Sequence, residues 1–116
     1  MGAGWEDDDM NQINLIGRVV AEPEEVQTER MTILRFRLAV QRAYKRGDGT
    51  RTADFFVCEC QEKMRRTVEF MDKGMLCRVT GAMESYALQA EGKKTTYWKV
   101  VVKEIEFLGD KRGEDE

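Results

Sequence analysis

Histidine is absent from this 116-residue chain, and proline occurs only once. No apolar run comes near the ~18 residues that a membrane-spanning helix needs. The first absence removes the commonest general base and the commonest metal ligand together. The second leaves Pro23 as a lone marker of an edge or turn. The third excludes a helical membrane segment, and the acidic start Glu6-Asp7-Asp8-Asp9 lacks the basic-then-apolar order of a secretory signal. Only three cysteines are present, Cys58, Cys60 and Cys77. A zinc site would lack a fourth ligand, so they read as small, buried, reduced thiols in a cytoplasmic protein. The signatures of catalysis are missing too. Gly47-Asp48-Gly49 has no Lys-Ser/Thr after it, there is no nucleophile elbow, and Asp54 and Glu59 fall on opposite faces of one strand. No enzyme, metal, cofactor or small-molecule substrate is therefore expected.

What is present is a single domain's worth of chain, with 41% hydrophobic and 35% charged residues. Its net charge of −3 is unevenly spread. Residues 1–9 hold four acids and no base, and residues 110–116 hold four acids and two bases, so residues 10–109 carry +3. This predicts an acidic extension (1–9), a mildly basic folded body (10–109) and a short acidic tail (110–116). Such a body is compatible with a polyanion partner without requiring one.

Period-two patterns dominate the body. Residues 12–20 form a first strand, with Gly17 at a bulge or bend. Leu34, Phe36, Leu38 and Val40 alternate with Arg35, Arg37, Ala39 and Gln41, which predicts a strand with one buried face. The arginines on its other face are either groove residues or an ordinary solvated surface. Residues 45–51 contain Asp48-Gly49 between two strand-like runs and predict a hairpin loop. Residues 54–60 return, placing Cys58 and Cys60 on one face. Met64, Val68 and Met71 mark the buried stripe of a helix beginning at Glu62, with Lys73-Gly74 as its stop. Residues 75–81 predict a fourth strand, residues 86–92 a loop, residues 95–102 a fifth strand, and residues 105–108 the close of the domain. Phe56 and Trp98, the latter sharing a face with Val100 and Val102, read as core or subunit contact. Five strands with one helix between the third and fourth give an all-β class, the OB-fold, a partly open five-stranded Greek-key barrel.

Several segments carry a resemblance. The opening Met10-Asn11-Gln12-Ile13-Asn14-Leu15-Ile16-Gly17-Arg18-Val19 resembles the bacterial single-stranded DNA-binding protein family. So do Phe36, Leu38 and Ala39, then Ala53-Asp54-Phe55 after a glycine loop, Lys73-Gly74, Val79-Thr80-Gly81, and the run from Val100-Val101-Val102 to Ile105-Glu106-Phe107-Leu108-Gly109. The resemblance implies an OB-fold subunit, usually a homotetramer, that holds single-stranded DNA without sequence preference in replication, recombination and repair. A dimer resembling the primosomal replication-restart proteins is the alternative, and an RNA binder a third. Oligomeric state with site size separates the first two, and preference for 2′-hydroxyls marks the last.

The resemblance also implies stacking positions. Tyr44 and Phe55 match them, Gln61 stands where a ring is usual, and Leu88 falls near another, with Tyr86 two residues earlier on the same face. For phosphate, the candidates are Arg18, Arg35, Arg37, Arg42, Lys45, Arg46, Arg51, Lys63, Lys73, Lys93 and Lys94. The family's flexible tail with an apolar tip, which recruits replication and repair proteins, has no counterpart in the acidic ending Arg112-Gly113-Glu114-Asp115-Glu116.

Overall fold

A computed structural model describes residues 10–109. The expected extension (1–9) and acidic tail (110–116) lie outside the described residues. Six strands form the domain: β1 Ile13–Val19, β2 Glu24–Gln27, β3 Thr32–Gln41, β4 Ala53–Gln61, β5 Leu76–Ala90 and β6 Lys93–Gly109. Between β4 and β5 lie a 3-10 turn, Glu62–Met64, and a short helix α1, Arg65–Glu69. The sheet order is β1-β5-β6-β4-β3-β2, and an additional β1–β3 pairing closes it. All pairings are antiparallel except β4–β6. Leaving β2 aside, this is the connectivity of an OB barrel.

β2 is the strand that the pattern reading lacks. Glu24-Glu25-Val26-Gln27 holds one apolar residue and no alternation, so nothing in its composition predicts a strand. It exists because it zips along the edge of β3, from Glu24 opposite Arg35 to Gln27 opposite Thr32. A turn closed by the Thr28 amide donating to the Met31 carbonyl at 2.9 Å fixes the return. Pro23 stands just before this edge strand, as its missing N–H requires.

The core follows the predicted alternation. Leu34, Phe36 and Leu38 of β3 point inward against Cys58 and Cys60 of β4 and Cys77 and Val79 of β5, while Val40 and Phe56 are partly buried against them. All three thiols are free and buried. Burial, then the neighbouring Cys60 and Cys77, pushes the Cys58 thiol up to about 12. Burial does the same for Cys60, to about 12, and for Cys77, to about 11. They are therefore protonated packing groups at neutral pH.

The helical stripe is real but the helix is broken. Val68 and Met71 are buried and Met64 packs against the core, yet Met64 leaves helical geometry at φ −96°, ψ 11°, splitting the segment into two short pieces. Gly74 then adopts φ +93°, a conformation that costs glycine little, and its amide donates to the Val19 carbonyl at 2.7 Å. Gly17 serves a bend rather than a bulge. The β1–β5 register runs unbroken from Ile13 to Arg18 while β1 crosses over to β3 at Arg18 and Val19. A Cβ at Gly17 would collide with the Ala39 carbonyl.

The largest difference from the pattern reading lies in β5 and β6. Residues 86–92 are not a loop. β5 continues to Ala90, and β6 begins at Lys93 and runs unbroken through Gly109, joining the segments read as a fifth strand and a separate close. The connection is a two-residue turn, Glu91 at φ 51° and Gly92 at φ 79°, the primed geometry that matches strand twist. The outer part of this hairpin, beyond about Glu84 and Lys99, is an arm that leaves the barrel. Inside the barrel wall, before the arm begins, the ladder shifts register between Thr80 and Gly81, where a side chain on Gly81 would strike the Val101 carbonyl.

Candidate nucleic-acid interface

The inward alternation of β3 and β4 fixes what faces outward. Ala39 opposes Phe55, Arg37 opposes Val57 and Arg35 opposes Glu59. Phe55 is 57% exposed, and the Arg37 guanidinium lies 5.6 Å from its ring centroid, over the ring. Glu59 accepts from Arg35 Nη2 at 3.1 Å and from Lys99 Nζ of β6 at 2.9 Å. Lys99 also lies 5.4 Å from the ring centroid of Tyr86. Tyr86 stacks on its cross-strand partner Tyr97, with centroids 5.6 Å apart and planes inclined by 27°. Cations and rings thus form two groups on this face, Arg37 with Phe55, and Arg35–Glu59–Lys99–Tyr86–Tyr97 running from β3 and β4 out along the arm.

At the end of the β3–β4 hairpin a further group forms. Tyr44 is 62% exposed, and its hydroxyl accepts from Arg42 Nη1 at 3.0 Å. Arg42 also holds Asp54 in a fork, Nε to Oδ2 at 3.0 Å and Nη2 to Oδ1 at 2.9 Å. That fork holds the Asp54 carboxyl below its ordinary range, and Asp54 followed by Tyr44 pushes the Arg42 guanidinium up. The loop itself is folded by the Arg46 amide donating to the Thr50 carbonyl at 2.7 Å, and by Arg46 Nε donating to Thr52 Oγ1 at 2.7 Å. Lys45 and Arg51 are exposed beside it.

The structure sorts the sequence candidates. Phe55, Tyr86, Arg35 and Arg37 join the two groups on the outer face, and Leu88 lies exposed on the Tyr86 face of the arm, with Lys93 and Lys94 at its tip. Tyr44, Arg42, Lys45, Arg46 and Arg51 gather at the loop. Lys63 is exposed in the 3-10 turn after β4. Arg18 and Lys73 are placed elsewhere, at the junction of β1 with the segment after α1, where Arg18 Nη1 donates to the Gly74 carbonyl at 2.8 Å. Arg18 is thus engaged in holding two elements of the barrel together. Tyr97 is a ring that the pattern reading overlooked; the signal was its position opposite Tyr86, visible only once the hairpin register is known. Trp98 needs correction as a core residue. It keeps the alternation with buried Val100 and Val102, yet it is 59% exposed because the barrel ends before it.

Comparison with known proteins agrees with this architecture. Residues 10–108 match the model of the Single-strand binding protein family. Single-stranded DNA-binding protein 3 of Listeria innocua is 32% identical over 106 residues, covering 89% of this chain and 66% of that protein. The single-stranded DNA-binding protein of Bacillus cereus is 30% identical over 107 residues, covering 90% of this chain and 63% of the relative. The chain thus spans a little under two thirds of the length of these relatives. Among solved structures, Plasmodium falciparum SSB in complex with single-stranded DNA superposes with a TM-score of 0.75 at 18% identity, covering 86% of this chain and 96% of that one. A small single-stranded DNA-binding protein from Streptomyces coelicolor superposes with a TM-score of 0.67 at 20% identity, covering 85% and 94%. At those identities the likeness concerns the fold, whereas the family match covers nearly all of the body the topology describes: the chain belongs to the single-strand binding protein family.

Proposed function

We propose that this protein binds single-stranded DNA without sequence preference, as a homotetramer serving replication, recombination and repair. The observation that carries the reading is the pair of groups Arg37–Phe55 and Glu59–Lys99–Tyr86–Tyr97 on the outside of the barrel and its arm, rings set beside charge. Rings accept any base because every base has a π-face, each stack contributing about 1–3 kcal/mol, and cations follow the phosphates. The two groups lie on the second and third long strands and the hairpin arm, the surface on which OB folds commonly bind oligonucleotides. The family match supports this reading and does not favour the replication-restart alternative. No helix among the described residues is long and apolar enough to cross a membrane. A reducing cytoplasm suits the three free thiols.

The test is a fluorescence titration with poly(dT) at two salt concentrations, following tryptophan and tyrosine. Binding that weakens with salt by about 0.7 in log K per phosphate contact is expected. A Tyr44→Ala, Phe55→Ala double variant should lose about 2–6 kcal/mol of affinity at two stacks. Unchanged affinity in that variant would remove these rings from the site, and no binding at low salt would overturn the function.

A further inference from the structure

The outer face carries an acid in its middle. Glu59 sits on β4 beside Val101 of β6, and its side chain is only 11% exposed. Both of its oxygens are engaged. Oε2 accepts from Arg35 Nη2 at 3.1 Å and Nε at 3.3 Å, and Oε1 accepts from Lys99 Nζ at 2.9 Å. Glu24, from the edge strand β2, approaches Arg35 at 4.0 Å. Burial disfavours the Glu59 charge, but hydrogen bonds from Lys99 and Arg35, and then their charges, outweigh it and hold the carboxyl below its ordinary range. The group is therefore ionised at neutral pH.

We propose that Glu59 acts as an internal stand-in for phosphate, occupying Arg35 and Lys99 in the free protein and competing with the nucleic-acid backbone for them. The inference rests on the single-strand reading above. A carboxylate offers these donors the same charge-assisted bonds that a phosphate would. Arg35 and Lys99 keep 36% and 23% of their side chains exposed, so a phosphate can reach them from the solvent side and contend with Glu59 for their N–H groups. Lys99 also touches the Tyr86 ring, so the competition takes place beside a stacking platform. Because these two cations are already neutralised in part, they release fewer counterions on binding than free ones. Glu59 thereby sets both the affinity and the salt dependence of the face.

The experiment measures log K for oligo-deoxythymidine against log salt for the wild type, Glu59→Gln, Arg35→Gln and the double variant, with thermal unfolding to verify folding. Glu59→Gln should bind more tightly at low salt and steepen the slope by about 0.7 for each cation that turns to phosphate. Arg35→Gln should reduce the slope by about 0.7 in the Glu59→Gln background and by less in the wild-type background, where Glu59 already occupies Arg35. Parallel lines for wild type and Glu59→Gln, or weaker binding by a folded Glu59→Gln, would overturn the proposal. Should Glu59→Gln fail to fold, Glu59→Ala takes its place and is read by the same outcomes: a steeper slope supports the proposal and a parallel line overturns it. If the wild type ignores the oligomer altogether, the single-strand reading falls and this inference with it; if the wild type binds but the lines stay parallel, only this inference falls.

Discussion

β5 and β6 build part of the barrel wall and the whole of the arm, and the two halves of the same ladder obey different rules. In the wall, Cys77, Val79, Val100 and Val102 are buried and alternate with exposed or half-exposed neighbours. In the arm, every residue from Glu84 to Trp98 is exposed, though the pairing continues to Ala90 opposite Lys93. Register in the wall is held by which face must be buried. Register in the arm is inherited from the wall and fixed at the far end by the Glu91-Gly92 turn. The arm's side chains are thereby released from packing and available for ligand. On the proposed function, one pair of strands divides stability from recognition along its length.

Three substitutions sharpen the contrast between buried barrel and exposed surface, and the largest effect lies in the core, on β3. Leu38→Ala, at a fully buried site, should cost about 2–5 kcal/mol in urea unfolding through lost transfer energy and a cavity. Tyr97→Ala, in the arm, should do the reverse: it removes a stack and lowers DNA affinity by about 1–3 kcal/mol. Its cost to stability, through the cross-strand pair with Tyr86, should stay within about 1 kcal/mol. A larger stability loss than affinity loss would break the division. The smallest effect belongs to the exposed fork at the loop. Because Asp54 is held below its ordinary value of 3.8, its contribution is present above that pH and lost as pH falls through the lower folded value. The small difference in thermal midpoint between wild type and Asp54→Asn at neutral pH should therefore vanish in acid.

The same contrast explains what could be read from the chain alone. Leu34, Phe36 and Leu38 announce β3 because burial on one side imposes period two, and Cys58 and Cys60 share a face for the same reason. The glycine loop at residues 45–51 follows from turn chemistry. β2 escapes because edge pairing with β3 across the turn at residues 28–31 creates it, with no apolar alternation of its own. The arm escapes because a hairpin with no buried side has no reason to alternate apolar residues, so residues 86–92 resemble a loop. Trp98 shows the limit of periodicity, which gives a face but not where the barrel stops. Tyr44 and Phe55 came from family likeness, and the structure finds both exposed. Glu59 was readable as an outward acid, but its hold on Arg35 and Lys99 depends on three strands meeting.

β4 and β6 meet through only two residue pairs, Cys58 with Val100 and Glu59 with Val101, in the less favourable parallel arrangement. Phe55 stands on one bank of that seam and Tyr97 on the other. Under the proposed function, the spacing of these two rings for successive bases rests on one of the narrowest closures in the barrel.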